Sequence, residues 1–168
     1  MTFPPAITLV RARFALPRDS IHGPVHWARV LENGLRLAPL TGADPVVLAL
    51  FAIFHDSCRK DDGMDHMHGP RAAKWIRILD LGITTQQQAL FIEACAGHTN
   101  AFHSSDPTVG TCWDADRLDI GRIGVQVDPF FMSTAAARDP AILAWAQERA
   151  TCCLVPDWAV GQGRSARR

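Results

Sequence analysis

The sequence carries no net charge, because seventeen Lys and Arg offset seventeen Asp and Glu over 168 residues. That balance removes the whole-molecule attraction that would favour nucleic acid or an anionic membrane, so any basic site must be local. No window approaches the roughly 18 to 20 uninterrupted apolar residues of a membrane helix. The apolar run over 6–16 is the one candidate targeting segment, but Arg11 and Arg13 interrupt it and no small-residue cleavage site follows, so no signal peptide is expected. The five cysteines (Cys58, Cys95, Cys112, Cys152, Cys153) are odd in number and never take C-x-x-C spacing, which points to reduced thiols in a cytoplasmic protein. Repeats and period-two alternation are absent as well. Tyrosine is missing and lysine is scarce, whereas seven histidines are present, so the side chain that ligates metals and carries protons near neutral pH is the one to follow.

Hydrophobic residues make up 48% and charged residues 20% of the chain, which is ordinary globular usage, and the length suits one domain. Helix punctuation recurs throughout. Gly23-Pro24 opens a helix to about Ala38, with Val30, Leu31, Leu35 and Leu37 as its apolar face. Asp44-Pro45 leads into Val46 to His55, apolar on every side, which is the pattern of a central buried helix. From Cys58 to Gly69 there is no periodicity, so a loop is expected there, followed by a helix from Pro70 to about Leu81. Thr85 with Gln88 has the form of a capping box for a helix running to His98. Asn100 to Gly110 reads as a polar loop, Thr111 to Ile123 as a helix, and Asp139-Pro140 as the start of a last helix to about Ala150. The expectation is an all-α bundle of about six to eight helices in a single domain. Its core covers about 20–124, packing helices follow over 125–160, and a frayed tail over 161–168 carries Arg164, Arg167 and Arg168.

His55-Asp56 lies at the end of the buried helix, where an imidazole and a carboxylate are expensive to desolvate without a partner. A bound cation would compensate both. His26 precedes it in His-Trp-Ala-Arg-Val, and Asp114-Ala-Asp116-Arg117-Leu118-Asp119 places carboxylates on a late helix. In these elements the chain resembles the HD-domain metal-dependent phosphohydrolase superfamily, whose pattern is a helical His, a His-Asp doublet and a later Asp often written Ala-Asp-Arg-Leu. The match covers roughly Ser20 to Gly124.

The resemblance implies a metal held by His26, His55, Asp56 and Asp116, the last in preference to Asp114. Its two-metal branch implies two further ligands, His68 and His98, with Asp56 bridging the ions; His66 is the alternative to His68, which is preferred for the glycine that follows it. Two or more imidazoles with carboxylates form a site for a divalent transition metal, Mn, Fe, Co, Ni or Zn, as one ion or two. Arg59, three residues past the doublet, stands where many relatives carry a Lys and could clamp phosphate. Asp56, Arg59, His68 and His98 are the candidate catalytic residues. His22 could face the pocket or the solvent. Lys60, Asp61, Asp62, Asp65, His103, Asp106 and Arg117 have ordinary surface, loop or ion-pair readings, and Trp27 and Trp113 fit core or pocket wall. Cys58 and Cys112 neighbour the site in sequence, but nothing marks either as an activated nucleophile.

The implied activity is hydrolysis of a small phosphate ester, above all a nucleotide, by metal-activated water, in a protein with a phosphorylated small molecule as partner and neither membrane nor nucleic acid. Two alternatives share the pattern: a di-iron oxygenase, which some relatives with the same six ligands are, and a regulatory domain that binds a nucleotide without turnover. Fold analogy alone does not choose between them.

Overall fold

The computed structural model describes residues 4–156 and is all-helical, with no strand among them. Seven α-helices follow in order among the described residues: α1 (Pro4–Arg13), α2 (Pro24–Thr41), α3 (Pro45–Phe54), α4 (His68–Ile76), α5 (Thr85–Gly97), α6 (Pro107–Arg117) and α7 (Pro140–Thr151). Single 3-10 turns at Ile120–Ile123, Pro129–Phe131 and Ala136–Arg138 link α6 to α7. The expected tail over 161–168 lies outside the described residues. No helix among those described is long and apolar enough to cross a membrane.

One device starts three of these helices. Asp44, Asp106 and Asp139 each precede a proline, and each carboxylate accepts from backbone N–H groups of the first turn while the proline, lacking an N–H, costs nothing there. The Asp106-Pro107 copy corrects the expected loop over Asn100 to Gly110: α6 begins at Pro107, four residues before Thr111. Thr108, Gly110 and Thr111 look like loop residues, but the Thr111 hydroxyl bonds back to the Pro107 carbonyl at 2.6 Å and satisfies itself inside the helix. The helix also stops at Arg117 rather than Ile123, and the chain tightens into a 3-10 turn.

Smaller differences have equally local causes. The capping box is Thr84 with Gln87, one residue earlier than Thr85 with Gln88, and Gln87 also donates to the Asp44 carboxylate, joining the starts of α3 and α5. The fourth helix starts at His68, not Pro70, and ends at Ile76, well short of Leu81. Helix α2 continues past Ala38 to Thr41, carrying Pro39 in its last turn. The run over 6–16 is largely a helix, with Ala6 and Val10 buried against the core and Arg11 and Arg13 on its last turn.

The central helix is α3. Every residue from Val47 to Phe54 is buried, as its continuous apolar sequence predicts, and α1, α2, α5 and α6 pack around it. Each large side chain buried this way contributes about 1.5–3 kcal/mol. A second apolar cluster, built on Leu37, Leu118, Met132, Ile142 and Ala146, seats α7 against the far end of α2. Asn33 on α2 donates to the Ala115 carbonyl of α6 at 2.9 Å, so the helices bearing His26 and Asp116 are tied directly to each other.

Candidate metal centre

The two oxygens of Asp56 face two different groups of histidines. Oδ2 lies 3.5 Å from His26 Nε2 and 3.3 Å from His55 Nε2. Oδ1 lies 3.1 Å from His68 Nε2 and 3.9 Å from His98 Nε2. Asp116 closes the first group, its Oδ1 3.2 Å from His26 Nε2 and 3.7 Å from His55 Nε2. His26, His55 and Asp56 form one buried set of donors able to hold a metal ion, and Asp56, His68 and His98 form a second. All six residues named from the sequence as ligands therefore meet at one place.

Helix ends bring them there. His55 caps the C-terminus of α3, His98 caps that of α5, and Asp116 sits in the last turn of α6. The partial negative charge of three helix C-termini thus points at the centre, which favours a cation. His68 comes from the opposite side, as the first residue of α4. Its approach depends on Gly69: a Cβ there would overlap the Cys95 carbonyl and stand 3.0 Å from His98 Cε1. His66 is exposed and contributes only its carbonyl, to Asn100, so the glycine did mark the inward-facing histidine.

The imidazoles are fixed by what they do at Nδ1. His55 Nδ1 lies against the Phe51 and Ala52 carbonyls at 3.1 and 3.2 Å, and His98 Nδ1 against the Cys95 carbonyl at 2.8 Å. His68 Nδ1 bonds the Asp65 carbonyl, and His26 Nδ1 the Asp119 carboxylate at 2.7 Å. Carbonyls only accept, so Nδ1 of His55, His68 and His98 carries a proton and Nε2 is the atom each of the four rings turns inward. The Nε2 atoms stand 3.0 Å apart between His26 and His55 and 2.7 Å apart between His68 and His98, a spacing that a cation or a shared proton accommodates. The donors fit a divalent metal: imidazole nitrogen and carboxylate oxygen converge, and Phe51 packs against two of the rings, stacked on His55 with centroids 4.9 Å apart and edge-on to His98 at 5.8 Å.

Burial and charge set the ionisation of the carboxylates. Desolvation would raise Asp56, but the His55 charge and hydrogen bonds from His26, His55 and His68 hold it well below the usual range. Desolvation is likewise outweighed at Asp116 by the His26 hydrogen bond and the charges of His55, His26 and His98. For His26, burial and the Arg122 charge pull downward, yet Asp116, Asp119 and Asp56 together raise it to about 9. Asp116 is the most open of the six, its side chain 20% exposed against 3% or less for the others. The exposed Thr99 places its hydroxyl 3.1 Å from His68 Nε2 and 3.3 Å from His98 Nε2.

Other candidates resolve into distinct places. Arg59 donates from Nε to Asp56 Oδ1 at 2.9 Å and from Nη1 to the Gly63 carbonyl, so its guanidinium borders the second group of histidines. His22 is buried and held by Asp62 through Nδ1 at 2.9 Å, while the Ser20 hydroxyl bonds the same oxygen. Desolvation lowers its pKa. Asp61 and Asp65 close turns of the 60–67 loop, and Asp65 pairs with Arg71. His103 is exposed and bonds the Phe130 carbonyl, and Asp106 caps α6. Arg117 donates to the carbonyls of Ala101, Phe102 and Phe131 and forms no ion pair among the described residues. Asp114 turns away from the centre and accepts from the Ser133 and Thr134 amides and the Thr134 hydroxyl. Cys112 is fully buried, and desolvation raises its thiol well above the usual value, while Cys58 is approached through its sulfur by Arg13 and Ser57.

Two residues belong to the centre that the sequence reading did not assign. Asp119 is 1% exposed, orients His26 and is held by Arg29 through Nε at 2.6 Å and Nη2 at 3.1 Å. Its signal was the spacing: Asp119 follows Asp116 by three residues and Arg29 follows His26 by three, the interval that shares a helical face. Thr99 had no such signal beyond lying next to His98. Comparison with protein-family models, with curated proteins and with solved structures found no match for this chain.

Proposed function

We propose that the chain is a metal-dependent phosphohydrolase of the HD-domain type, acting on a small phosphate ester, above all a nucleotide. The observation that carries this reading is Asp56, one carboxylate with each oxygen turned to a separate pair of histidines, as a bridge between two divalent ions requires. His26, His55 and Asp116 would complete one position and His68 and His98 the other. Divalent ions so held supply Lewis acidity, which polarises a phosphoryl oxygen and acidifies water.

The chain's own residues then have defined tasks. The Nδ1 acceptors orient four imidazoles with Nε2 toward the centre, so little movement of the rings would accompany binding. Arg59 holds a positive charge beside Asp56, suited to the nonbridging oxygens of a phosphoryl group. Thr99 and Asp116, the open members of the centre, border the side from which substrate would enter. Unpaired cysteines throughout suit a reducing, cytoplasmic setting.

Elemental analysis of the purified protein, joined to a phosphatase and phosphodiesterase panel with Mn²⁺, tests the reading. Bound transition metal with phosphate release, both abolished in His55→Ala, is the expected result. Iron with substrate-dependent O₂ consumption and no phosphate release would replace it with the oxygenase. Saturable nucleotide binding without turnover would leave a regulatory domain.

A further inference from the structure

A cavity of about 200 Å³ lies on the outer side of α2, lined by Arg11, Phe14, Leu16, Arg18, Pro24 and Trp27. None of these residues belongs to the metal centre. The walls are apolar and well fixed, with Phe14 meeting Trp27 edge-on at 5.0 Å and the Trp27 indole N–H bonded to the His22 carbonyl at 2.7 Å. Arg11 comes from the last turn of α1 and Arg18 from the turn before α2. Gly23 makes that turn close: a Cβ there would stand 3.0 Å from the Ser20 carbonyl and 3.1 Å from that of Arg18, so the backbone of Arg18 is folded tightly against the start of α2.

The two guanidinium groups are what need explaining. Arg29, Arg59, Arg71, Arg122 and Arg149 pair with carboxylates, Arg117 and Arg138 donate to backbone carbonyls, and Arg13 and Arg36 lie over tryptophan rings. Arg11 and Arg18 have no carboxylate partner among the described residues, although they share a cavity and their charges repel. Burial and the Arg18 charge both push the Arg11 pKa down, which is what two like charges drawn together without a counter-ion produce. Arginine pairs in this situation recognise planar or tetrahedral oxyanions through forked donors, and the aromatic wall leaves room for a small apolar body beside the anion.

We propose that this cavity is a second binding site, for a phosphate group, with Arg11 and Arg18 as its clamp and Phe14 and Trp27 as its wall. The site would take free phosphate or the phosphoryl end of a small monoester. It stands apart from the metal centre but shares the first turn of α2 with it, since Trp27 follows His26.

Equilibrium dialysis of the metal-loaded chain against labelled inorganic phosphate tests this. Wild type and His55→Ala should both show a saturable component that Arg11→Gln/Arg18→Gln weakens at least roughly tenfold, the loss of one charge-assisted bond or more. Arg18→Gln alone, at an exposed position, should show part of the loss with an unchanged helical spectrum. Phenylphosphonate binding more tightly than phosphate identifies an ester with its body on Trp27, and equal binding identifies the free ion. Undiminished phosphate binding by the double variant would overturn the assignment, whatever becomes of the hydrolase reading.

Discussion

Asp119 Oδ2 lies 2.7 Å from His26 Nδ1, and the same carboxylate is gripped by the buried Arg29. The pair joins α2 to the turn after α6 and sets the ring that shares a centre with His55, Asp56 and Asp116. Asp119→Asn keeps the shape but weakens this support, and metal affinity should fall about 10–100-fold with helicity intact. Asp119→Ala should also destabilise the fold by about 3–5 kcal/mol, because Arg29 is left as an uncompensated buried charge. Chelator competition and thermal unfolding measure the two effects, and an Asp119→Asn protein with wild-type affinity would refute the first.

The pH dependence follows from His26. Burial and the Arg122 charge depress it, but its three carboxylate partners leave it at about 9, above the ordinary 6.5. A raised folded value means that protonation stabilises the metal-free protein fully below about 6.5 and that this stabilisation disappears as pH climbs through about 9. A metal needs the neutral ring, so loading at pH 7 should release a proton and loading above about 9 should not. Calorimetry in buffers of differing ionisation heat reads this directly, and equal heats in all buffers at pH 7 would contradict it.

Gly69→Ala should separate the two halves of the centre. The added methyl collides with the Cys95 backbone and presses on His98, at a cost of about 1–3 kcal/mol as α4 and α5 move apart. His68 and His98 lose their register while His26, His55 and Asp116, on other helices, keep theirs. Metal content per chain should drop without vanishing, whereas an unaltered content would show that the close approach is unnecessary.

Asp114 and Asp116 provide an internal control on one helix. Asp116→Asn should abolish or sharply reduce metal binding. Asp114→Ala should leave the metal in place and cost stability, about 1 kcal/mol or more for each half-buried amide left unpaired at Ser133 and Thr134. The opposite pattern in metal content would exchange their roles.

Legibility in the sequence followed the range of the interaction. The buried α3 could be read because a continuous apolar run with an Asp-Pro start has few other solutions, and the six converging residues could be named because their His, His-Asp and Ala-Asp-Arg-Leu elements resemble the HD-domain pattern. The start of α6 was obscured by Thr108, Gly110 and Thr111: the Thr111 hydroxyl bonds back to Pro107, the Thr108 hydroxyl accepts from the distant Asp44 amide and Gly110 packs against Ser133, contacts that no window reveals. Arg117 was equally opaque, since its partners are backbone carbonyls of Ala101, Phe102 and Phe131 rather than a carboxylate. Thr99 and the pairing of Asp119 with Arg29 depend on where segments far apart in the chain come to rest.

The convergence of three helix C-termini on one point has a dynamic corollary. Stripping the cation from such a point leaves aligned carbonyl ends of α3, α5 and α6 facing one another, so local opening should begin in their final turns. Amide exchange after chelation should accelerate there while α7, seated in its own apolar cluster, stays protected. The ion would then act as a fastening for the bundle as well as a reagent, and chelated chains would become easy targets for proteolysis near His55 and His98 before they lose their overall helical content.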